Sequence, residues 1–188
     1  MDSYLKNNGK ANSSSVYIIW GGANNVFQGY NMQDAAKDVI YDADYLVSKG
    51  ASANNIYIAN LPDLGITPLA ISTKTVTPMN AQSKIFNSEL NSLLKSKKYH
   101  LIDVVSFLNK IVKNKKITIN GKTYLFSNVT DGLCKTGSPT DPNALICVPD
   151  LSKQGASTYL FEGNIHPTSY LHQVLAQYIK SNIDKTHT

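Results

Sequence analysis

His166 stands directly before Pro167 in "EGNIHPTSYLHQVLAQYI", which runs from Glu162 to Ile179 and becomes a helical apolar repeat after the proline. Proline suits the first position of a helix, because its missing N–H would be unpaired there in any case. The positive end of a helix starting near Pro167 favours an uncharged imidazole, the form in which histidine serves as a general base. A solvent-facing histidine at an ordinary helix start has the same sequence, and the turn alone does not separate the two. Asn24 follows Gly21 and Gly22 at the end of the short apolar run "VYIIW". An amide N–H fixed there can donate to an oxyanion as it develops. A plain turn through Asn24 and Asn25 is the simpler alternative, since asparagine tolerates left-handed backbone. Cys134 and Cys147 are the only cysteines, and they bracket "KTGSPTDPNALI", a segment of turn residues. That pattern has neither metal-ligand spacing nor a C-x-x-C redox pair, so a loop-closing disulfide is expected, with two separate thiols as the alternative. A bridge implies an oxidising compartment, and hence an export signal that the polar start "MDSYLKNNGKANSSS" does not carry.

These groups need elements to hold them. Val16–Trp20 is β-branched and aromatic and ends in two glycines, which predicts a buried strand followed by a tight turn. Ala35, Ala36, Val39, Ile40, Ala43 and Leu46 recur at helical spacing between Asn31 and Lys49, and Gly50 supplies the stop. Ile56–Ala59 reads as a second strand followed by a loop, "NLPDLGITP". Asn80–Leu94 reads as a second helix, and His100–Val104 as a third strand leading into a helix through Leu108, Ile111 and Val112. Over residues 117–160 the alternation fades, apart from a hairpin signal at Asn120-Gly121. The last helix starts near Pro167 and carries Leu171, Val174, Leu175, Tyr178 and Ile179. Strands alternating with helices, joined by connections too long for hairpins, predict an α/β fold: three layers, α/β/α, around a mostly parallel sheet. Reactive groups in such sheets lie at the carboxyl ends of strands. This places "GGANN", "NLPDLG" and the His166 turn among the candidates.

The whole chain, 188 residues, fits one domain. Its net charge is +5, with lysines densest at Lys95–Lys98 and Lys110–Lys116. Solvated helix ends account for such runs, and attraction to anionic lipid headgroups is the second reading. Basic and aromatic residues are not interleaved as nucleic-acid binding requires. No stretch approaches the roughly 18 apolar residues of a membrane span.

Taken together, "YIIWGGANN", "NLPDLGITP" and "NIHPT" resemble, in this order, the later sequence blocks of the GDSL or SGNH hydrolase family. The likeness is greatest to its bacterial lysophospholipase and acyltransferase branch. It runs from about Tyr17 to Ile179 and includes "HLIDVVSFLNKIV", similar to the family's strand and helix between those blocks. The family's third block is Gly-x-Asn-Asp, and Gly22-Ala23-Asn24 matches it. The resemblance therefore implies that Asn24 is an oxyanion-hole donor, with Gly22 and Asn25 beside the substrate; Asn25 replaces the usual Asp. The fifth block is Asp-x-x-His-Pro-Thr, which makes His166 the general base. The acid's position is Gly163, flanked by Glu162 and Asn164, so Glu162 is the first carboxylate expected to orient the imidazole. The Cys134–Cys147 loop is similar to disulfide-closed loops that control activity in secreted members. No metal or cofactor is implied.

The family's nucleophile sits in a Gly-Asp-Ser-Leu turn upstream of the Asn block, and no such turn is present. Asp2-Ser3 is a chance likeness that follows no strand, and neither Ser13–Ser15 nor Ser127 lies at a strand-to-helix turn. The resemblance implies the C-terminal portion of a secreted or periplasmic bacterial lipolytic ester hydrolase, with first strand, serine and signal peptide elsewhere. Its expected partners are a lysophospholipid or other acyl-ester lipid, a membrane surface touched peripherally, and the missing N-terminal segment or a second chain at the open sheet edge. The isolated chain is expected to be inactive. The alternative is a non-catalytic lipid- or protein-binding remnant of the fold.

Overall fold

The structure is a computed structural model and describes residues 2–136, 145–147 and 158–186. They fall into two compact units, Met1–Leu64 with Pro78–Val105, and Gly65–Thr77 with Ser106–Thr188.

In the first unit, four consecutive apolar residues form β2 (Ile56–Ala59), and all four are buried. A strand buried on both sides belongs inside a parallel sheet, where continuous apolar runs replace alternation. Accordingly β1 (Tyr17–Ile19) and β3 (His100–Ile102) pair with it in parallel on either side, in the order β1-β2-β3. Helix α3 (Met32–Ser48) begins where the Asn31 side chain accepts a hydrogen bond from the Asp34 N–H at 3.0 Å. Its predicted apolar stripe is buried throughout. Helix α5 (Val76–Leu94) starts earlier than the expected Asn80 and buries Phe86 and Leu90. Both helices share one core with Ile56 and Ile58.

One expectation in this unit is corrected. The run Val16–Trp20 is not a buried strand. Tyr17 and Ile19 pack against the core, while Val16, Ile18 and Trp20 are 41%, 49% and 42% exposed. Successive strand side chains point to opposite faces. At this edge strand one face is therefore uncovered, a fact that an apolar run cannot encode. At the polar start, Asp2–Asn8 forms the short helix α1. Asp2-Ser3 consequently lies in a helix, away from any strand end.

The loop after β2 is held by side-chain amides. Asn87 of α5 accepts from the Leu61 N–H at 2.8 Å and donates to the Leu61 carbonyl at 2.7 Å. Asn60 donates to Asp103 and accepts from the Val105 N–H, which ties the ends of β2 and β3 together. Asp44, Lys97 and Tyr99 form a second polar cluster. Both Asp44 oxygens lie 2.7 Å from the Lys97 ammonium.

The second unit contains α4 (Pro68–Ser72), which starts at the last residue of the expected loop, and most of α6 (Val104–Asn114), which begins at the predicted strand end Val104. Strands β4 (Lys116–Ile119) and β5 (Lys122–Leu125) form the expected hairpin. Asn120 and Gly121 both have positive φ, 48° and 80°, as the tight two-residue turn requires. Strand β6 (Asn128–Gly132) pairs in parallel with β9 (Tyr159–Phe161), and β7 (Cys134–Thr136) pairs antiparallel with β8 (Leu145–Cys147). Most of the segment between the cysteines lies outside the described residues. Helix α7 (Ser169–Thr186) closes the chain and buries Leu171, Val174 and Leu175. Phe107 of α6 stacks on Tyr178 of α7 at 4.6 Å.

Candidate active site

His166 lies in the turn that joins β9 to α7, in the second unit. The helix does not start at Pro167. Thr168 caps it: its hydroxyl accepts from the Leu171 N–H at 3.1 Å and donates to the Tyr159 carbonyl at 2.7 Å. A threonine oxygen at the N-cap satisfies one of the free N–H groups of the first helical turn. Pro167 instead forms an isolated antiparallel bridge with Phe161. The Thr168 N–H donates to the Leu160 carbonyl and the Glu162 N–H to the His166 carbonyl, so the turn is closed on itself.

The segment is also held from outside. Leu133 and Cys134 donate their N–H groups to the carbonyls of Phe161 and Glu162, and Leu69 of α4 donates to the Asn164 carbonyl at 2.9 Å. The side chains follow the opposite rule: Glu162, Asn164 and His166 are all exposed. Among the described residues the His166 ring has no hydrogen-bond or ion-pair partner. Glu162 makes no ion pair with it, and Gly163 supplies no side chain. What fixes this histidine is its backbone.

Asn24 lies in the first unit, in the short helix α2 (Ala23–Phe27) just after β1. Gly22 precedes that helix with φ 106°, in the left-handed region that favours glycine. A Cβ at Gly22 would stand 2.7 Å from a ring carbon of Phe86, which is fully buried. Gly22 is therefore required by the backbone and by packing, and through it the start of α2 is set. The Asn24 carbonyl accepts from the Gln28 N–H, while its side-chain amide is exposed without a protein partner among the described residues. Asn25 spends its carbonyl on the Tyr30 N–H at 2.9 Å.

Cys134 is disulfide-bonded, and the β7–β8 register sets it opposite Cys147. Burial pushes the Tyr170 hydroxyl up from its ordinary value; this residue sits in the first turn of α7, against Phe126. Among the described residues no group of three His, Cys, Asp or Glu side chains could hold a metal ion, and no helix is long and apolar enough to cross a membrane. A groove of about 460 Å³ lined by Gln33, Lys84 and Glu89 contains none of the candidate residues.

Sequence reasoning missed Gly132, and named Thr168 only as part of the His-Pro-Thr block and not as a helix cap. A Cβ at Gly132 would stand 2.6 Å from the Gly163 carbonyl oxygen, so the two glycines mark a close approach of two backbones. The glycine in "VTDGLC" was the available signal.

The sequence profile of the GDSL-like Lipase/Acylhydrolase family matches residues 1–179. The chain is similar to an uncharacterized protein of the trpE-trpG intergenic region of Pseudomonas putida, 27% identical over 95% of this chain and 30% of that protein. It is also similar to a GDSL esterase/lipase of Arabidopsis thaliana, 23% identical over 90% of this chain and 47% of that protein. The chain thus spans less than half of the length of either of these relatives.

Proposed function

The chain belongs to the GDSL-like lipase/acylhydrolase family, and we propose from this premise that it is the base-bearing portion of a lipolytic carboxylic ester hydrolase. The observation that carries the proposal is the His166 turn, which holds the backbone on every side and leaves the imidazole exposed. A serine on a segment outside these residues attacks the acyl carbonyl. His166 takes the serine proton and passes it to the leaving alcohol, and the Asn24 amide donates to the oxyanion of the tetrahedral intermediate. Water, or an alcohol in acyl transfer, then releases the acyl group with His166 again as base.

The favoured substrate class is a lysophospholipid or other acyl-ester lipid, met at a membrane surface. Among the described residues β1 is an edge strand, and its edge with the exposed apolar side chains of Val16, Ile18 and Trp20 supports docking of the segment that carries the serine. The Cys134 disulfide supports a secreted or periplasmic, oxidising location.

The test is fluorophosphonate labelling read by intact mass, beside lysophospholipid hydrolysis, with and without the upstream segment. The proposal expects no labelling of the isolated chain, restoration by the segment, and loss in His166→Ala. Asn24→Ala should lower kcat by about a hundredfold to a thousandfold, as for other oxyanion donors. Labelling of a serine within residues 1–188 would refute the division of the site. No turnover under any condition would favour a binding protein that keeps the hydrolase fold.

A further inference from the structure

We infer that Gly132 is a positioning residue for His166: its bare Cα admits the Gly163 carbonyl and lets two neighbouring N–H groups clamp the histidine turn. This rests on the proposed role of His166 as base. Among the described residues no carboxylate pairs with the imidazole, and the turn is instead held through its backbone. Five backbone groups hold it. The carbonyls of Phe161, Glu162, Asn164 and His166 accept from Leu133, Cys134, Leu69 and Glu162, and the Gly163 carbonyl lies against Gly132.

The geometry at Gly132 leaves no freedom. A Cβ would meet the Gly163 oxygen at 2.6 Å, the Gly163 carbonyl carbon at 2.8 Å and the Cys134 oxygen at 3.1 Å. All three are backbone atoms, which cannot swing aside as the tip of a flexible side chain can. Ordinary contact begins at about 3.4 Å, so a methyl group at 132 must move the Gly163 carbonyl by roughly 0.8 Å. Displacements of about 1 Å cost on the order of a hundredfold in rate when they reach a reacting group. Gly163 behaves differently, because a Cβ there meets nothing within 4 Å. The requirement is therefore for space at 132, and the partner glycine is a control of nearly identical location.

Gly132→Ala and Gly163→Ala separate the two. In the 188-residue chain, Gly132→Ala should shift the backbone amide resonances from Glu162 to His166, while Gly163→Ala leaves those of Cys134 and Glu162 in place. In the hydrolase completed with its serine-bearing segment, Gly132→Ala should lower kcat about tenfold to a hundredfold with KM within about twofold. A merely structural defect would lower the folded fraction and leave kcat per folded molecule unchanged. Should Gly132→Ala not fold, amide exchange of the unmodified chain decides instead: the Cys134 and Glu162 N–H groups must be protected and open together. Free exchange at either, or a Gly132→Ala enzyme with unaltered kcat and resonances, overturns the inference. Full turnover in His166→Ala would instead remove the base assignment, while the resonance comparison still decides whether the clamp exists.

Discussion

Replacing Gly22 by alanine should destabilise the first unit by about 2–5 kcal/mol, and the sum has two separable parts. The φ of 106° lies in a region that L residues rarely occupy, and holding alanine there costs about 1–2 kcal/mol. The added methyl also stands 2.7 Å from one Phe86 ring carbon and 3.2 Å from two others, in a core where Phe86 has no exposed surface. Overpacking of that kind costs about 1–3 kcal/mol. Against a typical domain stability of about 5–15 kcal/mol, the total is large enough to read by urea titration as a lower midpoint at unchanged m. A double-mutant cycle with Phe86→Leu isolates the parts, since leucine lacks the nearest ring carbon. In that background Gly22→Ala should cost only the backbone share, about 1–2 kcal/mol. A cost below about 1 kcal/mol in the unmodified chain, or the same cost in both backgrounds, would refute the close contact at Phe86.

Four further outcomes are expected. Burial opposes ionisation of Asp44, but hydrogen bonds from Lys97 and Tyr99 outweigh it and hold the carboxyl below its ordinary range. A group depressed in the folded state contributes stability above its unfolded value of about 3.9, and this is lost as pH falls through the folded value. Asp44→Asn should therefore flatten the acid limb of a stability–pH curve below about pH 4, and an unchanged limb would contradict it. Tyr99 is pushed up by burial and by Asp44, so it contributes stability below about pH 10 that is lost at higher pH, and Tyr99→Phe should remove that alkaline slope. Reducing the Cys134 disulfide should lower stability by roughly 3 kcal/mol, the loop-closure estimate for a loop of about a dozen residues, seen as a lower melting temperature in dithiothreitol. The uncovered β1 edge should make the isolated chain self-associate at micromolar concentration. Ile18→Thr with Trp20→Thr should suppress this in sedimentation velocity, and a monodisperse unmodified chain would refute it.

The elements that bury a periodic stripe were plain in the residues: Ala35 to Leu46 mark α3, and "IYIA" marks β2, because burial on one face or on both leaves a repeat that can be counted. The turn at Asn120-Gly121 was equally plain, since few residues tolerate positive φ at both positions. Coverage was not. "VYIIW" carries no sign that one face of β1 is open, because what covers a strand lies elsewhere in the chain. The last helix starts near Pro167, as its sequence indicates, and the Thr168 cap puts its first residue at Ser169. His166 and Asn24 were singled out by type and order. The means of holding them stayed hidden, because a carbonyl accepting an N–H looks the same in every residue. Only glycines at points of closest approach leave a trace.

The Asn87 amide has a consequence for the molecule's chemical ageing. In one planar group it presents an acceptor to the Leu61 N–H and a donor to the Leu61 carbonyl, as a neighbouring strand would, and so allows that loop residue to be buried. The contact depends on atom identity rather than volume. Hydrolysis of the amide to a carboxylate keeps the shape but turns the donor into a second acceptor, facing the Leu61 carbonyl, lone pair against lone pair. Asparagine amides are among the thermolabile groups of proteins. Old preparations should therefore divide into two populations by urea melting, with peptide mapping locating the altered mass at residue 87 in the weaker one. A single population after such a change would mean that the β2 loop does not depend on this amide.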